Sequence, residues 1–210
     1  PTAISGCRGH SCRGAVLWRE GTIIGLFGVL GGLFGGTVAT HAPGELLRAL
    51  FGILVLVAAG RMLLLPHLSP GLEPDSRQQK GVFQYMIWGI AVGFLSGLTG
   101  IGGGLMLVPI MVVALGFSIY QAIGTSSLAI SFNALGGILA YAINGWGVEG
   151  RPMYCLGYID LMQFALLAGS SIFSAQWGAN AAHRLPAERL KYIFIVLMLY
   201  IGLKMAGILP

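Results

Sequence analysis

Between Lys80 and Glu149 the chain runs for 68 residues without one Asp, Glu, Lys or Arg. A helix needs about 20 apolar residues to cross the roughly 30 Å hydrocarbon layer of a bilayer, so this run holds about three crossings. Two further charge-free runs, 24 residues between Glu20 and Glu45 and 23 between Asp160 and Arg184, hold one each. Shorter runs at 49–60 and 192–203 are flanked by Arg48 and Arg61 and by Lys191 and Lys204, whose stems can reach the headgroups. Charged residues make up 9% of the chain, against about 25% in soluble domains, which is too few to coat a water-facing surface. The apolar blocks do not alternate with period two, which argues against a membrane β-barrel. The expected fold class is therefore all-α, a polytopic helical bundle of the cell membrane. Its helical segments are expected at about 22–40, 45–65, 82–115, 119–144, 158–182 and 187–208. The first dozen residues read as the tail of an earlier helix. The net charge of +5 comes from bases scattered between apolar blocks. No basic patch is interleaved with aromatics, so the lipid bilayer is the expected partner and nucleic acid is not.

An internal repeat is legible. His41-Ala-Pro43-Gly-Glu45-Leu-Leu-Arg48 matches Arg184-Leu-Pro186-Ala-Glu188-Arg-Leu-Lys191, 143 positions on. At the same offset Arg61-Met62 falls on Lys204-Met205, and Gly32, Gly35 and Gly36 fall on Ala175, Gly178 and Ala179. Nearer the start, Ala3, Gly6 and Thr2 fall on Ala134, Gly137 and Asn133 at an offset of 131, the difference being an insertion near 146–157. Residues 1–66 are thus expected to be the remainder of a first helical repeat, 67–81 a polar linker, and 82–210 a second repeat. If every segment crosses once, one side carries Arg8, Arg13, Arg19, Arg77, Lys80 and Arg151 and the other Arg48, Arg184, Arg189 and Lys191. That balance favours the first side as the cytoplasmic one.

The chemistry is expected where the helix pattern fails. Five glycines fall in the eight positions 97–104 (Gly97, Gly100, Gly102, Gly103 and Gly104). Each costs about 1 kcal/mol in a helix against Ala. Segment 82–115, as one straight helix, would be about 50 Å long, too long for the bilayer. A break at 99–104 accounts for both facts, and such a break is tolerated only where it lines a polar cavity or is buried in protein. The half-helix from about Leu105, bent at Pro109, would then aim free N–H groups and its positive dipole end at the break. That is an anion site without a charged side chain, and glycine lets an oxyanion approach the backbone. Close helix packing through Gly93-x3-Gly97 and Gly100-x3-Gly104 is the competing reading of the same residues. Thr125, Ser126 and Ser127 could offer hydroxyls and Asn133 an amide to the same anion, or could cap and join helices.

Other chemistry is weaker. Residue 105 is Leu where a dinucleotide fingerprint needs its third Gly, and no lysine follows the glycines as a P-loop requires. Cys7, His10 and Cys12 make a poor metal site, and three cysteines imply no disulfide framework, so neither metal nor cofactor is expected. An intramembrane serine hydrolase would need a base beside Ser96, Ser126 or Ser127, and His10, His41, His67 and His183 all lie near segment ends. No enzyme is expected. A non-transporting membrane subunit or scaffold is the remaining alternative.

The run Gly93-x2-Ser96-Gly97-x2-Gly100-Ile101-Gly102-Gly103-Gly104-x4-Pro109, followed by Ala122-Ile123-Gly124-Thr125-Ser126, resembles the TauE/SafE family of sulfite and organosulfonate exporters. The resemblance implies eight helices in two four-helix repeats, each with a Gly-rich segment and a Thr-Ser pair. The first copy of both motifs is missing here. It also implies export of a small sulfur-containing anion of the sulfite or sulfonate class.

Overall fold

The computed structural model describes residues 1–64, 81–100, 103–147 and 154–208. They form a helical bundle: α1 (Thr2–Ser11), α2 (Trp18–Ala39), α3 (Gly44–Leu64), α4 (Val82–Thr99), α5 (Gly104–Val113), α6 (Ile119–Asn144), α7 (Leu161–Ala182) and α8 (Ala187–Met205). A two-residue antiparallel hairpin, β1 (Cys155–Leu156) with β2 (Ile159–Asp160), joins α6 to α7. Four helices, α2, α3, α4 and α6, are long and apolar enough to cross a membrane by length and composition. Phe34, Leu64, Phe83, Phe173 and Trp177 are each more than two-thirds exposed on the outside. Such an apolar exterior suits lipid rather than water.

The bundle is organised around α2. Seven of its eight buried positions are glycine. A Cβ at Gly31 or Gly35 would collide with the carbonyl oxygens of Ile90 or Phe94 on α4, and one at Gly93 of α4 with Gly28 O. On its other side α2 meets α6: a Cβ at Gly28 would overlap the Asn133 amide, and one at Gly136 would strike Val29 O. In lipid the backbone of a spanning segment bonds within itself, so the helix survives its glycines, and contact between backbones replaces the missing side chains. The pairings rise together along both contacts (Gly28 with Gly93, Gly35 with Phe94; Gly21 with Leu128, Gly36 with Ala140). Helices α2, α4 and α6 are therefore parallel.

Two parallel neighbours, α4 and α6, require the chain to return between them. Segment 82–115 is thus not one interrupted rod crossing once, as the sequence suggested. Helix α4 ends on Gly100 in the left-handed region (φ 67°) and α5 begins after Gly103 in the same region (φ 73°). Only glycine adopts that conformation cheaply, and two of them within four positions reverse the chain. A Cβ on Gly103 would lie 3.0 Å from Ser96 Cβ and 3.2 Å from Val92 Cγ1, while Phe117 packs its ring on Tyr85 in the first turn of α4. So α5 and the segment after it run back along α4. Six of the ten α5 residues are buried, Pro109 among them. Protein, not lipid, shields this short pass.

The reversal changes the sides. Ser118 and Gln121 form a capping box at the start of α6, each backbone N–H bonded to the other's side chain at 3.3 Å. Asp160 caps α7 by accepting from Met162 N and Gln163 N. Helix α7 returns to the level of Tyr120, whose hydroxyl donates to Leu185 O, and α8 rises antiparallel to α3, Gly202 meeting Gly52. Among the described residues Arg8, Arg13, Arg19, Arg61, Arg184, Arg189 and Lys191 then share one face, with only Arg48 and Lys204 on the other. The six-against-four division expected from single crossings is replaced by a strong asymmetry, which on the positive-inside rule favours the base-rich face as the cytoplasmic one.

Two outcomes follow. Single cysteines at Arg61 and Lys191 should react with an impermeant thiol reagent from the cytoplasm and those at Arg48 and Lys204 from outside; labelling of Arg61 and Lys191 positions from opposite sides would contradict the reversal. Gly93→Leu should abolish a monodisperse peak in detergent, since overpacking costs roughly 1–3 kcal/mol or more. Gly60→Ala, with nothing within 4 Å of its added Cβ, should leave that peak intact.

Candidate functional site

The turn from α4 to α5 borders a cavity of about 640 Å³. Its wall is drawn from the ends of four elements: Thr40 after α2, Ser96 and Gly100 on α4, Ala134, Gly137, Ile138 and Tyr141 on α6, and Tyr158 and Ile159 of the hairpin. It lies toward the base-poor face, and no charged side chain lines it among the described residues. The hydroxyls of Ser96, Tyr141, Thr40 and Tyr158 are its polar side-chain groups among the described residues. Tyr141 donates to Gly97 O at 2.9 Å, and Thr40 donates to Thr37 O at 2.8 Å. Ser96 is 4% exposed, and among the described residues its Oγ has no hydrogen-bond partner. A buried hydroxyl without a partner costs free energy that a bound acceptor or donor would recover.

Two helix ends meet beside Ser96, and their dipoles oppose one another. The carbonyl end of α4 repels an anion and the amide end of α5 attracts it. Capping decides between them. Gly100 N–H bonds to Ser96 O at 3.0 Å and Tyr141 takes Gly97 O, so two terminal carbonyls of α4 are occupied. At the start of α5, Met106 N and Leu107 N bond back to Gly103 O. The N–H groups of Gly104 and Leu105 have no acceptor within the helix. Ser96 Oγ stands next to this amide end, 3.4 Å from where a Gly103 Cβ would be.

The sequence-derived candidates separate into three groups. Gly100, Gly103 and Gly104 stand at the turn, Gly104 pressed against Ile130. Gly102 lies outside the described residues. Gly97 is a packing position, where a Cβ would strike Gly32 O on α2, and Pro109 is fully buried within α5. The hydroxyl cluster stands far off, near the base-rich end of α6. Sixteen residues of helix separate Thr125 from Tyr141, about 24 Å. Thr125 accepts from Leu17 N at 3.0 Å, while Ser126 and Ser127 both donate to Ile123 O. Asn133 is fully buried; with its amide nitrogen toward α2 it donates to Gly25 O at 3.2 Å and Ala129 O at 3.1 Å. These four polar groups have protein partners already.

Tyr141 and Thr40 were not selected from sequence as site residues, and Ser96 was considered only as the nucleophile of the hydrolase alternative. Ser96 had a signal: it lies four residues before Gly100, the spacing of the bond that closes a helix on a left-handed glycine. Tyr141 had a general one, since a tyrosine in an apolar helix needs a partner for its hydroxyl. Among the described residues no serine hydroxyl is hydrogen-bonded to a histidine. His10 pairs with His183 at 2.9 Å, and His41 Nδ1 lies 2.9 Å from Thr37 O. His67 lies outside the described residues.

The family model for sulfite exporter TauE/SafE matches residues 1–205. A probable membrane transporter protein of Haemophilus influenzae is 29% identical over 206 residues, covering 97% of this chain and 75% of its own. One of Methanocaldococcus jannaschii is 26% identical over 189 residues, covering 90% and 68%. A third, from Xylella fastidiosa, is 32% identical over 133 residues, covering 63% of this chain and 51% of its own. No solved structure gives a significant match. With its apolar spanning helices, this is a multi-pass membrane protein of a transporter family, and the chain belongs to the sulfite exporter TauE/SafE family.

Proposed function

We propose that the protein exports a small oxyanion of the sulfite or organosulfonate class across the cell membrane through the cavity at the α4–α5 turn, and that it catalyses no covalent chemistry. The observation that carries this reading is Ser96 Oγ, buried, without a partner among the described residues, and lining a hollow whose described walls carry no charge. Donors without a formal charge suit a transported anion, because the ion is held without the depth of a buried ion pair and can leave again. Gly100 and Gly103 keep the backbone open to the ion. Tyr141 withdraws Gly97 O from it. Thr125, Ser126, Ser127 and Asn133 act in this scheme as fasteners of the bundle, not as ligands.

The membrane potential is sufficient to drive export. Each elementary charge crossing the membrane is worth about 2.3 kcal/mol per 100 mV. An inside-negative potential therefore expels an anion with no co-transported ion. In vesicles containing only this protein, labelled sulfite flux should follow an imposed potential and persist when the proton gradient is collapsed at constant potential. Loss of flux on collapsing that gradient would refute the uniport scheme, and absence of flux under any gradient would leave a non-transporting subunit as the better reading.

The site makes a second prediction. Ser96→Val should lower flux at least tenfold, as should Gly103→Val, which is strained in the left-handed region. Thr125→Val should instead destabilise the fold by about 1–3 kcal/mol, through the orphaned Leu17 N–H, with flux per folded molecule unchanged. Equal loss of flux in all three variants would argue against the assignment, and acetate and sulfate fluxes run alongside would rank the anion classes.

A further inference from the structure

The offsets read in the sequence reappear as matched contacts. Helix α7 begins and ends 143 positions after α2, and α8 begins 143 after α3. Ser5 Oγ donates to Ile172 O, where 131 and 143 positions away Gly136 lies against Val29 O. Thr2 meets Ser171 as Asn133 meets Gly28, and Gly9 meets Ala179 as Ala140 meets Gly36. The related helices run in opposite directions, α2 away from the base-rich face and α7 toward it. That is the relation of a two-fold axis lying in the membrane plane. It carries Tyr141 onto His10 and Thr40 onto His183. Two walls of the cavity on one face thus correspond to a histidine pair on the other.

The pair has its own chemistry. His10, 5% exposed, places Nδ1 2.9 Å from His183 Nε2. Burial, and then the Arg13 guanidinium, hold His183 below the usual histidine range. The groups facing the pair are Arg13 from the segment after α1, Tyr120 of α6 stacked on His183 at 5.5 Å, and Asn180 of α7, which accepts from Arg13 at 2.6 Å. Arg184 follows His183 in the chain. Among the described residues no carboxylate pairs with His10, His183 or Arg13. A neutral pair shares one N–H between the two rings. One added proton makes that bond charge-assisted, and a second must break it, since both nitrogens would then carry hydrogen. Each leaves positive charge beside Arg13 with no carboxylate counter-ion among the described residues.

We propose that His10 and His183, with Arg13, form a second anion station on the cytoplasmic face, at the mirror position of the Ser96–Tyr141 cavity, which binds a small oxyanion when the pair takes up a proton. This rests on the reading that the transported species is an anion. Protonation and anion binding are linked, so each strengthens the other by the same factor.

The test uses the whole chain in lipid nanodiscs with methanesulfonate as probe, a monoanion throughout the range pH 4 to 7.5. Affinity should rise severalfold from pH 7.5 to 4, toward the tenfold limit set by histidine ring signals in NMR that titrate about one pH unit higher in the presence of the anion. His10→Gln and His183→Asn should each flatten the pH dependence and leave a pH-independent component that Ser96→Val removes. Wild-type binding that is flat with pH, or histidine titrations that ignore the anion, would overturn the station while leaving the cavity reading standing. A pH-linked binding site in a protein without vesicle flux would do the reverse, supporting the station and removing the transport reading.

Discussion

Everything in this bundle depends on how closely α2 lets its neighbours approach. Its glycines admit the backbone of α4 on one side and of α6 on the other, at separations that leave no room for a Cβ at Gly28, Gly31 or Gly35. Lipid gives no hydrophobic reason for helices to associate, so dispersion between backbones must supply it. The glycine penalty is offset because in lipid the alternative to a helix is an unbonded backbone. Two helices held parallel on either side of α2 oblige the chain between them to come back within the protein. The short pass α5 and its left-handed glycines are the result of that obligation.

The site follows from the same geometry. A reversal inside the bundle brings the carbonyl end of one helix against the amide end of the next, and with nothing else present the two would nearly cancel for an ion beside them. Gly100 N–H and the Tyr141 hydroxyl close two carbonyls of α4, while the first amides of α5 have no intrahelical acceptor. The balance of polarity in the hollow is therefore set by one tyrosine and one backbone bond. Among the described residues it is achieved with neutral groups.

Much of this was legible in the sequence, and the part that was not has a physical cause. Charge-free length reveals spanning segments because the cost of burying charge in hydrocarbon is large and unambiguous. The failure of the helix at Gly100–Gly104 was legible for a similar reason, since so many glycines cannot be a favourable helix. Direction was not: a broken rod and a hairpin have the same composition, and only the packing of α4 and α6 on α2 distinguishes them. That single ambiguity scrambled the basic residues between the two faces. Thr125 and Asn133 looked like ligands because polar groups in apolar helices always need partners, and sequence does not say that Leu17 N and Gly25 O supply them. Ser96 is the converse, an ordinary-looking helix serine made unusual by what surrounds it.

The central claim is that the hollow at the α4–α5 turn opens to the base-poor face and holds the anion at Ser96. It is tested most directly by placing a cysteine at Ser96 in a chain whose Cys7, Cys12 and Cys155 have been replaced. The rate of modification by an impermeant thiol reagent is then measured from each side of sealed vesicles. The account predicts modification from the outer face, slowed in a saturable way by methanesulfonate. A thiol that reacts only from the cytoplasmic face, or at a rate indifferent to the anion, would contradict it.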